Sequence, residues 1–110
     1  MSRLRLSGLI AIAALGAAAP SGAVQHVSKQ VINLFAPDDP PCAFFRLVGV
    51  SQSDPVSPTS YWFAVPTSHP GFKEIYAMLL AATISGMPVS VTTTGQLACG
   101  HPGVVTVYTD

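Results

Sequence analysis

The chain has 110 residues, enough for at most one domain, and only 9% of them are charged. Its five Lys and Arg balance five Asp and Glu, for a formal net charge of +0. Cations so few and so scattered cannot neutralise a run of phosphates, which sets nucleic acid aside as a partner.

The first segment reads as a leader and not as part of the fold. Arg3 and Arg5 form a positive start, and Leu6 to Ala19 is an apolar run broken only by Ser7, Gly8 and Gly16. Pro20, Ser21, Gly22 and Ala23 follow, with Ser21 and Ala23 at the −3 and −1 positions of a small-residue cleavage site. Together these features predict a secretory signal peptide over 1–23, cleaved after Ala23, and an exported domain over 24–110. A membrane anchor is the rival reading. However, the run is shorter than the roughly 20 residues needed to span a bilayer, and no second one follows. A periplasmic or secreted protein without a membrane span is therefore expected.

Removing the leader leaves Lys29, Arg46 and Lys73 against Asp38, Asp39, Asp54, Glu74 and Asp110, a net of −2. A small, weakly charged domain suggests that part of its surface is covered by another subunit. A surface of Thr, Ser, Gln and Pro is the alternative. Both cysteines, Cys42 and Cys99, follow the cleavage site. In an oxidising compartment they are expected to form an intrachain disulfide, against the alternatives of an intermolecular bridge or free thiols.

In chain order, Val27 to Phe35 is the first strand, with imperfect alternation. Ala36 to Pro41 is a stiff turn whose prolines cannot donate to a ladder. Cys42 to Val50 is a second strand, with Phe45 and Leu47 on one face and Phe44, Arg46, Val48 and Val50 on the other. Both faces are largely apolar, so it reads as a central strand. Ser51 to Ser60 is a polar loop, and Tyr61 to Val65 a short aromatic third strand.

A helix follows, capped by Ser68 or His69, with Pro70 in its first turn and Gly86 as its stop. Phe72, Ile75, Tyr76, Leu79, Leu80 and Thr83 recur at helical spacing, while Ala77, Met78, Ala81 and Ala82 occupy the opposite face. That second face lacks charge and is expected to be buried, by the sheet or by a neighbouring subunit. Val89 to Thr93 is the fourth strand, Gly95 to Gly103 a loop holding Cys99, and Val104 to Thr109 the last strand. The expectation is a mainly β domain with one helix in the order β-β-β-α-β-β. That order matches an OB-fold-like five-stranded barrel.

Tyr61 to Val91 reads YWFAVPTSHPGFKEIYAMLLAATISGMPVSV. An apolar strand precedes a turn with Ser and Pro, and Phe72-Lys73-Glu74 opens the helix. Ser85-Gly86 stops it, and Val89-Ser90-Val91 is the strand beyond. This pattern resembles the B subunits of subtilase-type cytotoxins. Cys42 to Val48 resembles their preceding strand more weakly. The resemblance implies an OB-fold, secretion, pentameric rings with helices near the axis, glycan binding and a separate catalytic subunit. No residue of that family's glycan site matches here, so none is carried over. The cysteine placement also departs from the family, whose subunits pair cysteines on neighbouring strands.

No residue set predicts catalysis. His26, His69 and His101 are dispersed, and Cys99-Gly100-His101 supplies at most half of a metal site. A cysteine nucleophile would need a base in reach, and Asp38-Asp39 between prolines reads as a solvated turn. No metal and no cofactor are expected. Tyr61 and Trp62 are the ligand candidates because their rings can stack on a sugar; filling the barrel or an interface is the competing role. The expected protein is therefore a non-enzymatic exported binding module, homo-oligomeric, with a glycan or protein ligand. A structural or interaction protein of the same fold, without sugar specificity, is the alternative.

Overall fold

The computed structural model describes residues 23–109. Residues 1–22 of the expected leader lie outside that range. The elements are β1 (Gln25–Lys29), β2 (Val31–Phe35), β3 (Cys42–Leu47), β4 (Phe63–Pro66), α1 (Phe72–Ser85), β5 (Val89–Ala98) and β6 (His101–Thr109). The domain is mainly β with one helix among the described residues, and its element order follows the expected one.

The sheet corrects the five-stranded barrel. It has six strands in the order β1-β5-β6-β4-β3-β2 and is open, with β1 and β2 on its two edges. All pairs are antiparallel except β4 with β6. The extra strand arises because the expected first strand is divided at Gln30. Its two parts pair with different partners, β1 with β5 and β2 with β3. Left-handed residues mark the register shifts in both parts: Ser28 at φ 53° and Asn33 at φ 55°. Such bulges bend a strand and raise its twist.

β3 is an interior strand, second from the β2 edge and not central, and it is buried on both faces as its sequence promised. Ala43, Phe45 and Leu47 enter the main core, while Cys42 and Phe44 enter a second cluster with Ala64. Phe45 stacks on Phe63 at 5.0 Å, and both are fully buried. The strand ends at Leu47 and not at Val50. Gly49 adopts φ 79°, and Val50 N–H donates back to the Leu47 carbonyl at 3.2 Å. β4 begins at Phe63 and not at Tyr61, because Trp62 N–H donates to Ser60 Oγ at 3.2 Å instead of joining the ladder.

α1 also starts later than expected. Gly71 is its N-cap and no side chain caps it, so Pro70 precedes the helix. His69 acts one step earlier. Its Nδ1 accepts from Gly71 N–H and its Nε2 donates to the Val105 carbonyl, each at 2.9 Å, which ties the helix entrance to β6. Gly86 ends the helix in the left-handed conformation at φ 77°, where its N–H closes on the Ala82 carbonyl. Ile75, Leu79 and Ala82 are buried on the sheet. This corrects the expected faces: Ala82, placed opposite, packs on the sheet, while Leu80 and Ile84 are 42% and 78% exposed, so within the chain the sheet covers only one side of the helix.

The expected loop from Gly95 to Gly103 is a hairpin. β5 runs to Ala98 and β6 starts at His101. Cys99 at φ 51° and Gly100 at φ 84° make the two-residue turn, whose paired positive φ values suit the twist of the flanking strands. The register shift between Thr93 and Leu97 is absorbed around Gly95 at φ 82°. No helix of the described residues is long and apolar enough to cross a membrane.

Candidate functional site

The loop from 51 to 62 has no strand or helix, yet hydrogen bonds hold it tightly. Ser53 N–H donates to the Ser60 carbonyl at 3.0 Å, and Ser53 Oγ donates to the Trp62 carbonyl at 2.7 Å. Asp54 is fully buried. Its Oδ1 accepts from Val56 N–H at 2.8 Å, and its Oδ2 from Ala23 N–H at 2.9 Å, Gly95 N–H at 3.2 Å and the Thr93 hydroxyl. Burial is the largest single influence on this carboxyl and pushes its pKa up. The carboxyl is sealed but shallow, and its four hydrogen bonds together prevail, holding it below the ordinary value of 3.8.

The loop so anchored forms one wall of a cleft of about 360 Å³, and the β5–β6 turn forms the other. Ser57, Thr59, Ser60, Tyr61, Trp62, Gly100 and His101 line it. The Cys42–Cys99 disulfide joins the start of β3 to that turn, across a sequence separation of 57, with Cα atoms 6.6 Å apart. It holds Gly100 and His101 opposite the aromatic pair.

Tyr61 and Trp62 are thus brought to one cleft. Tyr61 is 40% exposed, while Phe63, two residues on, is fully buried. Trp62 is half-buried. It packs on the second cluster and meets Phe35 edge-on at 5.5 Å, which fixes its indole. The Arg46 guanidinium lies 4.0 Å from the Tyr61 ring centroid and 5.9 Å from that of Trp62, a cation–π arrangement that steadies both rings.

Ser60 and His101, which the sequence did not connect, share a hydrogen bond of 2.9 Å between Oγ and Nδ1. Trp62 N–H also donates to Ser60 Oγ, so the hydroxyl is held between the backbone and the imidazole. A hydroxyl–imidazole contact is the kernel of a nucleophilic pair, but activation calls for a third group orienting the imidazole. Among the described residues no carboxylate hydrogen-bonds His101. His26 and His69 lie elsewhere, bonded to the Ser53 and Val105 carbonyls. No group of three or more His, Cys, Asp or Glu that could hold a metal occurs among the described residues.

The cleft therefore offers aromatic faces, hydroxyls and an imidazole, and none of the residues lining it is an acid, a lysine or an arginine. Asp54, which fastens its wall, was missed because the sequence showed only one more acid in a polar loop. Comparison of the chain with family models, curated proteins and solved structures gives no match.

Proposed function

We propose that the chain is an exported binding module whose cleft at Tyr61, Trp62 and His101 takes a neutral saccharide. One observation carries this reading: two steadied aromatic rings and a row of hydroxyls share an uncharged cleft. Sugar rings stack their C–H faces on aromatic side chains, and their hydroxyls exchange hydrogen bonds with Ser, Thr and imidazole groups. The leader-like first 23 residues support export. The OB-type fold expected from the order of the elements has a sheet face and loops that bind oligosaccharides, which agrees with this ligand class. The resemblance of Tyr61 to Val91 to cytotoxin B subunits supports the same reading and adds a separate catalytic subunit as partner. The module itself binds and does not catalyse.

Trp62 is the only tryptophan, so intrinsic fluorescence reports on the cleft directly. Titration with a panel of neutral mono- and disaccharides is expected to give a saturable change for at least one, weakened tenfold or more in Tyr61→Ala. No saturable change across the panel would favour the structural or interaction protein without sugar specificity.

The same reading includes a ring-shaped homo-oligomer, pentameric by resemblance. The exposed Leu80 and Ile84 of α1 supply the apolar face that a neighbouring copy would cover. Light scattering on the exported protein should give a discrete multimer, and Ile84→Glu should shift it towards monomer. A monomeric wild-type protein would remove the ring while leaving the cleft intact.

A further inference from the structure

Asp54 is a fully buried carboxylate, and every partner it has among the described residues is a neutral N–H or O–H. A buried charge is ordinarily matched by an opposite one. Two features place its missing partner at the start of the domain. The peptide N–H of Ala23 is a direct donor to Oδ2 at 2.9 Å, and Val24 N–H donates at 2.9 Å to the Thr93 hydroxyl, which itself bonds Oδ2. Ala23 also stands at φ 64°, a conformation disfavoured for a residue with a Cβ. A cut after this residue takes it out of the domain and relieves the domain of that conformation.

We propose that Asp54 is the receptor for the mature N-terminus: cleavage of the Ala23–Val24 bond creates an α-ammonium on Val24 that pairs with this carboxylate. The inference rests on the export reading. In the cleavage, an export peptidase directs water onto the Ala23 carbonyl. The C–N bond breaks, the hydroxyl stays on Ala23 as its new carboxylate, and Val24 nitrogen takes up the protons to become an ammonium. Loss of Ala23 frees the place its N–H held on Oδ2, one residue from the Val24 nitrogen. The ammonium keeps its bond to Thr93 and fills that place. Thr93 N–H donates to the Val24 carbonyl at 2.9 Å and keeps the new terminus in register.

The other titratable groups around this corner are His26, bonded to the Ser53 carbonyl, and Tyr108, whose hydroxyl accepts from the Gln25 side chain. Neither is a second carboxylate. The pair therefore raises the α-ammonium above its ordinary pKa of about 7.7–8.0. By linkage, its stabilisation is complete below about pH 8 and is lost as pH rises through the raised value.

The test expresses the full chain in an exporting bacterium and purifies the exported protein. Intact mass and N-terminal sequencing identify its first residue, expected to be Val24. The pH dependence of α-amine acylation, read by mass spectrometry on the N-terminal peptide, gives the α-amine pKa. A rise of at least one unit, tenfold in proton affinity, is expected relative to Asp54→Asn; urea-unfolded wild type serves as reference if that variant does not fold. An ordinary pKa in the folded mature protein overturns the pairing while leaving export in place. A protein that keeps residue 1 overturns the export reading and the pairing with it. A first residue of Ala23 moves the cut by one bond, and the acylation profile then decides the pairing.

Discussion

Reducing the Cys42–Cys99 bond lowers the stability of the domain by about 4 kcal/mol, because the disulfide closes a loop spanning 57 positions of sequence in the unfolded chain. That is a large share of the net stability of a domain this small. The bond also anchors the Cys99-Gly100 turn, so its loss frees the wall that carries His101. Urea unfolding with and without reductant measures the first effect, and Cys42→Ser with Cys99→Ser should reproduce it. Trp62 fluorescence in the reduced but still folded protein measures the second. Equal midpoints in the two conditions would show that the bond contributes nothing, and the anchoring role would fall with it.

Asp54→Ala is the second severe change. It removes the acceptor of the Val56 and Gly95 N–H groups and of the donor at the start of the domain, and leaves the Thr93 hydroxyl only the Val24 carbonyl at 3.3 Å, at an expected cost of about 3 kcal/mol. The same carboxylate sets an acid limb. Its pKa is lowered in the folded state, so its contribution is complete above the ordinary value of 3.8. It is lost as pH falls through the folded value. Urea midpoints between about pH 6 and pH 2 should therefore fall more steeply in wild type than in Asp54→Asn. Parallel profiles would mean that the four hydrogen bonds do not favour the ionised form.

These two residues show how differently a sequence exposes its own architecture. The disulfide was legible because the expected compartment and a count of two cysteines left one intrachain pairing. The two-faced burial of β3 was legible because Phe44 and Phe45 are neighbours and a strand must send them to opposite sides. Asp54 was not legible, since its partners Thr93 and Gly95 lie 39 and 41 positions away. Only the bond from Val56 N–H, two residues on, left a local trace: an Asx turn, for which Asp in a polar, proline-containing loop is suited.

The hairpin turn was hidden for a related reason. Gly95, Gly100 and Gly103 crowd one stretch and look like a loop. In the sheet, Gly95 sits in a bulge and Gly100 in a two-residue turn, while Gly103 pairs with Ala64 of β4. A Cβ on Gly103 would come within 3.2 Å of Thr94 Oγ1 and 3.3 Å of Ala98 Cβ, so close packing and not flexibility selects glycine there. Division of the first strand at Gln30 was likewise invisible, because it depends on which partner each half finds. Of the cleft, the aromatic pair was visible as Tyr61-Trp62. His101 joins it only through a contact across 41 positions.

In the proposed function, Trp62 supplies a stacking face to the saccharide. An immobilised glycan array probed with the exported wild-type protein and with Trp62→Ala tests this most directly, with circular dichroism confirming that the variant keeps its fold. The expected result is binding by wild type to a related group of glycans and at least a tenfold loss in the variant. Wild-type binding to no glycan, or binding that Trp62→Ala leaves unchanged, would contradict it.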